Sequence, residues 1–316
     1  MKTVAVVVTY NRKALLKECL DAILGQTERV EKIIVVDNCS TDNTYEFLKE
    51  KSLLNNELIY YKRLDKNIGG AGGFYEGIKE AQLYNPDWVW IMDDDTIPNS
   101  SCLKELINAK DKINEKISFL ASSVYGENGE FMNVPSVNLE KSESGYAGWY
   151  KYLSEGLVKI REATFVSLLI NNDAIMKIGY PVKDYFIWGD DIEYTLRLNK
   201  YYGNAYMVGR SVAIHKRKIN KKLSLLDEDN INRINFYYYM VRNNLINKKN
   251  YYGTKECIKY MFNFQLAIIK VLITPKCKMK FLKIKNVYKA FFAFIFKKYD
   301  INAFRNRFDV NVKYKK

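Results

Sequence analysis

The chain has 316 residues, of which 48% are hydrophobic and 27% charged, so it can form a full core and is not intrinsically disordered. Its five cysteines form no CxxC pair and are odd in number, which excludes a disulfide framework and favours reduced thiols in the cytoplasm. The net charge of +14 comes from the C-terminal end, where residues 246–316 hold 18 Lys and Arg against 3 Asp and Glu. This asymmetry indicates an anionic partner, either nucleic acid or an anionic membrane surface.

The first hundred residues alternate between strand and helix patterns. TVAVVVTY is a continuous apolar run that is typical of a strand covered on both faces, and it is too short for a signal peptide. A helix pattern, KALLKECLDAIL, follows it, and three further strands follow in KIIVVDNCS, LIYYKRLD and DWVWIMDDD, with helix patterns between them. This order predicts an α/β fold with a mainly parallel sheet and helices on both faces. Ligands of such sheets bind beyond the carboxyl ends of the strands.

The pattern becomes less regular after Pro98. Residues 118–165 predict strands and loops, and ATFVSLLINNDAIMKIGY predicts a strand, a turn and a short helix. IWGDDIEYTLRLNKYYG predicts a helix with acids in its first turn, and NAYMVGRSVAIHKR predicts a strand that ends at the only histidine, His215. The chain then becomes helical, aromatic and basic. We therefore expect one domain over residues 1–225 and a helical C-terminal region over residues 226–316.

The C-terminal region has two interpretations. No stretch reaches 18 uncharged apolar residues, so a membrane-spanning helix is not expected. YMFNFQLAIIKVLIT and NVYKAFFAFIFKKY mix aromatic and aliphatic residues with lysines, which suits helices in the membrane interface. A helical cap packed on the main domain, with its lysines in water, is the alternative. The charge favours peripheral contact with the inner face of the cell membrane, and nucleic acid is not expected because no nucleic-acid-binding motif accompanies the lysines.

The acidic segment VWIMDDDTIP carries the first chemical signal. Three adjacent carboxylates repel one another unless water or a cation takes up the charge. A solvated turn before the next helix is one explanation, but the position at the end of an apolar strand favours a divalent cation with oxygen ligands. Asp93 and Asp95, two residues apart, could turn their carboxylates to one ion. His215 could fill another coordination position, although a lone histidine is commonly incidental.

Other polar segments end neighbouring elements. Four glycines within residues 69–73 are expected to precede a helix and to let the backbone approach a phosphate, unless they form a flexible connector. A nicotinamide dinucleotide site would need glycines in the first βα turn, where this chain has TYNRKA, so a dehydrogenase is excluded. Asp37 ends the second strand, where it could contact a nucleoside or form an Asx turn. One of the acids in WGDDIEY could be a general base. Alternatively, all of them could cap the helix N-terminus and interact favourably with its dipole.

The positive strip Lys216, Arg217 and Lys218 follows the histidine and suits a diphosphate. Together with the preceding segments, taken in order, it resembles the inverting glycosyltransferases of family two, which have the GT-A fold. The likeness covers about residues 3–250 and rests on VVVTYNR, IIVVDNCSTDNT, the glycines, DDD, WGDDIEY, the late histidine and YYYMVRN. NIGGAGGF with MDDD is most similar to bacterial galactofuranosyltransferases of cell-wall and polysaccharide synthesis. Rhamnosyltransferases of the family usually have a less glycine-rich loop.

The resemblance implies a UDP-sugar donor, with UDP-galactofuranose favoured, a glycan or glycolipid acceptor, Mn²⁺ or Mg²⁺, and a possible homo-oligomer. It implies that Asp191 is the catalytic base and that the metal ligands are Asp93, Asp95 and His215. The implied donor-binding residues are Thr9, Asn11, Arg12, Asp37, Arg63, Asn67, Gly69, Gly70, Asp93 and Asp94. The segment Tyr146–Tyr150 is expected to shape the acceptor site, and the expected acceptor-side residues are Trp149, Trp188 and Asp190.

Two other functions stay open. One is a rhamnosyl- or other hexosyltransferase of the same family that uses another nucleotide sugar. The other is a non-catalytic nucleic-acid-binding or scaffolding protein that uses the basic tail, which the intact DDD, DD and histidine set disfavours.

Overall fold

A computed structural model describes residues 1–217 and 224–296 of the chain. Lys218 and the predicted basic tail beyond residue 296 lie outside these residues. The strands within them are β1 (Thr3–Thr9), β2 (Lys32–Asp37), β3 (Ile59–Arg63), β4 (Trp88–Asp93), β5 (Thr96–Pro98), β6 (Ile117–Tyr125), β7 (Ser136–Val137), β8 (Leu157–Glu162), β9 (Leu168–Asn171) and β10 (Asn204–His215).

Helices cover the strands and form the C-terminal region. They are α1 (Lys13–Leu24), α2 (Thr44–Glu50), α3 (Gly69–Ala81), α4 (Cys102–Lys112), α5 (Asn172–Ile178), α6 (Asp190–Tyr201), α7 (Ile231–Asn247), α8 (Thr254–Ile273) and α9 (Lys280–Ile295). Across the described ranges, no helix combines the length and the apolar character needed to span a bilayer.

The N-terminal half of the sheet is parallel, as the strand and helix alternation predicts. β3, β2, β1 and β4 lie side by side in that order, and all three pairs are parallel. Alternate residues of β1 enter opposite cores: Val4 and Val6 pack on one face, and Ala5 and Val7 on the other. Because every residue of β1 is buried, the strand needs an unbroken apolar run rather than an alternating one. The α/β fold with helices on both faces is confirmed.

The other half of the sheet is mixed. β9 inserts between β4 and β6 and is antiparallel to both, β6 and β10 are parallel, and β8 and β7 complete the edge in antiparallel pairs. β5 is a short strand directly after the acidic segment, and it pairs antiparallel with the end of β10. His215 lies opposite Thr96 in that pair. The chain therefore brings His215 next to the acidic segment through backbone hydrogen bonds.

The glycine-rich segment differs from its prediction. The glycines do not precede a helix, because α3 begins at Gly69 and contains all of them. A Cβ on Gly73 would lie 2.4 Å from Val8 Cγ1, and one on Gly69 would lie 2.0 Å from the Phe186 carbonyl oxygen. Gly70 has open space around it. Gly69 and Gly73 thus allow close packing of α3 against the segment at Phe186 and against β1, and the approach of a ligand to this segment stays a prediction.

Helices α7, α8 and α9 share a separate apolar core. Tyr237, Val241 and Leu245 of α7 pack with Val271 of α8 and Phe291 of α9. α7 also contacts the start of α6 through buried polar side chains. The C-terminal region predicted for residues 226–316 is thus helical as far as residue 296, and its first helix touches the α/β part of the molecule. The domain boundary at residue 225 stays a prediction.

We expect Gly69→Ala to destabilise the fold and Gly70→Ala not to. Gly69 has a φ of +76°, where an L side chain is strained, and its Cβ would overlap backbone that cannot move independently. Such overpacking costs about 1–3 kcal/mol. Gly70→Ala should raise the free energy of unfolding by about 0.4–1 kcal/mol, since it restricts only the unfolded chain. Urea denaturation measures both, and equal effects of the two substitutions would contradict the packing explanation.

Candidate functional site

Four neighbouring strands end at one edge of the sheet. Thr9 at the end of β1 lies opposite Asp37 of β2, and Asp37 lies opposite Arg63 of β3. Asp93 at the end of β4 lies opposite Val8 of β1. Because parallel strands in register end together, the predicted site residues on these strands share one edge.

The loops after β1 and β2 are tied to each other. Ser40 Oγ accepts a hydrogen bond from the Asn11 backbone N–H at 2.9 Å, and Asn11 Oδ1 accepts one from the Thr41 N–H at 2.7 Å. Asn11 has a φ of 55°, a left-handed conformation that asparagine tolerates better than most residues. Arg63 donates to the Ser40 carbonyl oxygen at 2.9 Å. Asn11 and Arg63 thus both contact Ser40, one at its hydroxyl and the other at its carbonyl oxygen, and so the ends of β1 and β3 are joined through the loop after β2.

Asp37 is buried, with 1% of its surface exposed, and both carboxylate oxygens already have partners. Oδ1 accepts from the Ser40 N–H at 2.8 Å, and Oδ2 accepts from the Tyr61 hydroxyl. Burial and this hydrogen bond raise the pKa of Tyr61. Asp37 thus forms the Asx-type turn that was one of its two predicted explanations, and it lies at the predicted edge as well.

The segment before α3 is held by two asparagines. Asn67 Oδ1 accepts from the Gly69 N–H at 2.8 Å. Asn38, which the sequence reasoning missed, accepts from the Ile68 N–H at 2.9 Å and donates to the Gly69 carbonyl oxygen at 2.7 Å. Asn67 and Gly69 are therefore fixed beside the end of β2, and Gly70 stands next to them with open space.

The acidic segment is neutralised from the loop after β1. Thr9 Oγ1 donates to Asp94 at 2.7 Å, and Arg12 contacts Asp94 at 3.2 Å and Asp95 at 2.6 Å. Both carboxyl groups are at least 95% buried, whereas half of the Arg12 side chain is exposed. Arg12 can therefore reach solvent, and a ligand, while it holds the two acids.

His215 completes the acidic cluster. Its Nε2 lies 3.0 Å from Asp95 Oδ1, and its Nδ1 lies 2.8 Å from Asn133 Oδ1. One ligand atom each from Asp93, Asp95 and His215 lies within 4.8 Å of the others. Because the Asn133 amide oxygen can only accept, Nδ1 carries a hydrogen. Nε2 donates to Asp95 when the ring is protonated, and a neutral ring with this tautomer turns the Nε2 lone pair to the same carboxylates, where a cation can bind it. The donor set therefore fits a divalent metal ion.

The pKa values in the cluster follow from burial and crowding. Burial, with the charges of Asp95 and Asp94, raises the pKa of Asp93 well above its ordinary value. Burial also raises the pKa of Asp94, to about 6, against the opposing charge of Arg12. The pKa of Asp95 is lowered, because its hydrogen bond to His215 and the Arg12 charge outweigh its burial. The charge of Asp190 also raises the pKa of Asp93.

A cavity of about 630 Å³ opens beside Asp95. Most of its charged lining is basic, with Asp42 as the other acid, and the cations are Arg12, Lys13, Lys216, Arg217 and Arg233. Lys216 and Arg217 belong to the predicted positive strip. Lys13 and Arg233 were missed, since no motif marks them in the sequence. The charge of this lining suits an anionic ligand next to the acidic cluster.

Asp190 and Asp191 open α6. Asp190 is 6% exposed, and Asp191 is partly exposed. Burial raises the pKa of Asp191 to about 6, although the backbone N–H groups of Ile192 and Gly189 oppose the shift. Burial and the Asp191 charge raise the pKa of Asp190 well above its ordinary value. Burial thus raises the pKa of both acids, and the choice of one of them as the general base stays a prediction.

The two predicted acceptor-side tryptophans lie apart. The Trp188 ring packs against Phe236 and Tyr237, with centroids 5.8 Å apart in each pair, so it points into the C-terminal core. Trp149 packs against Tyr150 in a short 3-10 turn beside β8. The described contacts of both rings are with these aromatic neighbours rather than with the acidic cluster.

Comparison with known proteins agrees with this architecture. A 94-residue segment is 37% identical to galactofuranosyltransferase GlfT1 of Mycolicibacterium smegmatis and covers 30% of each chain. A 101-residue segment is 33% identical to dTDP-rhamnosyl transferase RfbG of Shigella flexneri and covers 32% of this chain and 35% of that one. The matched segments thus span about a third of the length of these relatives.

A solved structure shares the fold over most of the chain. The fragment 1–349 of S. aureus TarS, in complex with UDP-GlcNAc, superposes with a TM-score of 0.58 at 18% identity, over 93% of this chain and 81% of that one. Residues 4–166, just over half of the chain, match the profile of glycosyl transferase family 2. The parallel strand ends, the acidic segment and this match agree, and the chain belongs to glycosyl transferase family 2.

Proposed function

We propose that the protein is an inverting, metal-dependent glycosyltransferase that moves galactofuranose from UDP to a hydroxyl of a lipid-linked cell-surface glycan. The observation that carries the proposal is the convergence of Asp93, Asp95 and His215 beside a cavity with a basic lining. A UDP-sugar combines a nucleoside, a diphosphate and a sugar. At this edge of the sheet, polar groups are available for the nucleoside and positive charge for the diphosphate.

The donor's position follows from the chemistry of the edge. Arg63 and Asn67 line the β2–β3 side and offer polar groups for the uridine, together with Asn11. Asp37 and Thr9, each 1% exposed, border the same side and are proposed to support the nucleotide there. The diphosphate lies over the acidic cluster, where Arg12, which contacts Asp94, lines the basic cavity together with Asp95. Gly69 and Gly70 form the start of α3, whose N-terminal N–H groups favour anions.

Asp93, Asp95 and His215 would hold Mn²⁺ or Mg²⁺. A divalent cation there supplies electrostatic stabilisation of the charge that develops on the departing diphosphate. Asn133 fixes the His215 tautomer through Nδ1, so that Nε2 faces the carboxylates. Arg12, Lys216 and Arg217 add positive charge on the cavity side.

Asp191 is the proposed base. Its carboxylate accepts the proton of the acceptor hydroxyl as that oxygen attacks the anomeric carbon. The bond from this carbon to the diphosphate oxygen breaks on the opposite face, UDP leaves with the electron pair, and the configuration inverts. Partial exposure favours Asp191 over the buried Asp190, because the base must reach the acceptor. Asp190, Trp188 and Trp149 remain proposed for the acceptor side.

Galactofuranose is favoured over rhamnose by two observations. The similarity to GlfT1 is higher than that to RfbG, and the NIGGAGGF segment is unusually rich in glycine. A rhamnosyl- or other hexosyltransferase is the second candidate, because the RfbG match covers a segment of similar length.

A donor screen tests the proposal. We expect purified protein with Mn²⁺ to release UDP from UDP-galactofuranose faster than from UDP-galactopyranose or UDP-GlcNAc, and faster than it releases dTDP from dTDP-rhamnose. EDTA should abolish the release, and added Mn²⁺ or Mg²⁺ should restore it. Turnover with another donor alone would contradict the galactofuranose assignment, and turnover in EDTA would contradict the metal site.

Asp95→Asn tests the metal site, and Asp21→Asn is its matched control. Asp95→Asn should weaken Mn²⁺ binding, measured by calorimetry without any donor, because it removes one charged ligand. Asp21→Asn, on the exposed face of α1, should bind Mn²⁺ as the wild type does.

Asp191→Asn should lower turnover by about 10²–10⁴-fold, the usual contribution of a positioned base. UDP affinity in Mn²⁺ should stay near the wild-type value. In the wild type, turnover should fall as the pH drops below about 6, because the raised pKa leaves Asp191 protonated there and a protonated carboxyl cannot accept a proton. A larger loss of turnover in Asp190→Asn than in Asp191→Asn would assign the base to Asp190 instead.

We also propose that α8 and α9 bind an anionic membrane surface, at the inner face of the cell membrane. Ile258, Phe262, Leu266, Ile269 and Ile273 of α8 follow one another at intervals of three or four residues and are 43–71% exposed. They lie on one face, since residues at this spacing are neighbours on a helix. Phe281, Phe292 and Phe296 are exposed in or beside α9. An exposed apolar surface of this size is typical of a site that binds a membrane or another protein.

Lysines accompany the apolar face. Lys255, Lys259, Lys270, Lys276 and Lys278 are exposed in and between the two helices. Each basic residue near an anionic bilayer contributes about 1 kcal/mol. Apolar and basic groups on the same helices favour lipid over a second copy of the chain, for which the lysines would repel. A homo-oligomer is the competing occupant.

Vesicle flotation tests the membrane proposal. The wild type should float with phosphatidylglycerol vesicles at low salt and less with pure phosphatidylcholine. Replacing Phe262, Ile269 and Phe292 by Ser should lower the partition coefficient by about a hundredfold, at about 1 kcal/mol for each partly inserted side chain. A control triple change to Ser at Phe131, Leu139 and Tyr146, all exposed outside the C-terminal helices, should have no effect. Self-association without vesicle binding would overturn the proposal.

A further inference from the structure

The segment of residues 184–189 leads into the Asp190–Asp191 pair, and its backbone is strained. Phe186 and Trp188 have φ values of 64° and 61°, and Gly189 has a φ of 99°. A left-handed conformation is unfavourable for bulky side chains such as phenylalanine and tryptophan. Residues in such conformations keep them only where the surroundings impose them. The structure must therefore supply contacts that hold this segment.

Helix α7 supplies most of those contacts. Its side chains donate hydrogen bonds to successive carbonyl oxygens of the segment. Arg242 donates to Asp184 at 2.7 Å, and Asn247 donates to Gly189 at 2.8 Å. The Asn243 amide nitrogen lies 3.0, 3.1 and 2.9 Å from the carbonyl oxygens of Tyr185, Ile187 and Trp188. The remaining carbonyl, that of Phe186, accepts from the Ala71 N–H of α3 at 3.1 Å.

The two asparagines are themselves oriented. Asn243 Oδ1 accepts from Arg242 Nε at 3.0 Å and from Nη2 at 2.8 Å, so its NH₂ group must face the segment. Asn247 Oδ1 accepts from the Tyr185 hydroxyl at 2.9 Å, which turns its NH₂ group to Gly189. Asn243 is 0% and Asn247 1% exposed. Water therefore cannot readily replace either donor. The Tyr185 and Gly189 carbonyls also accept from the Ile187 and Glu193 N–H groups, at 2.7 and 3.0 Å, whereas those of Ile187 and Trp188 would stay unsatisfied if Asn243 lost its NH₂ group.

We propose that Asn243 and Asn247 are positioning residues for the catalytic carboxylates: by binding the carbonyls of residues 185 and 187–189, they fix the place and direction in which α6 begins. The inference rests on the proposed function, because it assigns the two asparagines to the Asp190–Asp191 pair of that reaction. They touch neither substrate nor reacting atoms. Their effect is geometric, since α6 starts at the residue after Gly189 and both acids lie in its first turn.

If Asn243 and Asn247 only stabilised the fold, their substitution would have a different effect. Asn244, the next residue of α7, donates to the Met240 carbonyl oxygen of its own helix at 2.9 Å. Loss of a general packing or helix contact lowers the amount of folded protein but leaves the folded fraction equally active. Loss of the Asn243 or Asn247 donors lets the strained segment relax while the sheet, the metal ligands and the donor edge are unaffected.

Three matched substitutions test the inference: Asn243→Asp, Asn247→Asp and Asn244→Asp. Each keeps the shape of the side chain and replaces its NH₂ donors with a carboxylate oxygen, which also introduces a negative charge. We expect kcat for UDP release from the best donor of the screen to fall by about 10²-fold in the first two, the size expected for misplaced catalytic groups. The donor KM and the UDP Kd in Mn²⁺ should stay at wild-type values, and Asn244→Asp should behave as the wild type. Asn243→Ser accompanies the set, because it removes the donors without burying a charge.

Hydrogen exchange gives a readout that needs no activity. The backbone amides of residues 184–193 should exchange faster in the Asn243 and Asn247 variants, with no change in the β1–β4 peptides and no change in Asn244→Asp. Unchanged exchange and unchanged kcat would overturn the inference, as would equal losses of kcat and UDP affinity. If the wild type releases nucleotide from no donor, the proposed function fails; faster exchange would then still support the control of the segment by α7.

Discussion

The crowding of negative charge at the end of β4 is the constraint on which the site depends. Asp93, Asp94 and Asp95 leave a buried strand together, and burial makes their charges expensive. The structure answers with a hydroxyl from Thr9, a guanidinium from Arg12 and an imidazole from His215. Each partner comes from a different part of the chain. The loop after β1, the return strand β5 and the end of β10 are all placed by the need to surround these acids.

A second constraint joins the C-terminal helices to the catalytic half. Helix α7 belongs to the apolar core that it shares with α8 and α9, yet its buried polar face holds the segment before α6. Because α7 packs into the C-terminal core with one face and contacts the segment before α6 with another, it joins the C-terminal helices to the α/β part of the molecule. The exposed apolar surface of α8 and α9 is therefore connected to the start of α6 through α7, and Phe294 of α9 also packs against the cluster that contains Tyr185 and Val182. This arrangement explains why the YYYMVRN segment accompanies the acidic motifs in the sequence.

The glycine-rich segment shows that one sequence signal can serve two purposes. Gly69 and Gly73 are needed because the Phe186 carbonyl and the Val8 side chain occupy the space of a Cβ. Close packing brings α3 to the sheet edge, where Gly70 stays open. Glycine composition alone does not separate a ligand cradle from a tight helix–sheet contact, since both require the absence of a side chain. The neighbouring backbone decides between them.

The sequence by itself determined the α/β alternation, the parallel edge and the ends of its strands, because continuous apolar runs and helical spacing are local properties. It also located DDD, the WGDDIEY acids and the lone histidine. It did not reveal Asn38, Asn133 or Asn243, because an isolated asparagine carries no periodic or motif signal, and its importance lies in which carbonyl or imidazole it meets. Only the tertiary structure decided that β5 folds back onto β10 and puts His215 beside Asp95, 120 residues away in the chain. Backbone pairing between such distant segments depends on the whole sheet being formed, and no local pattern encodes it.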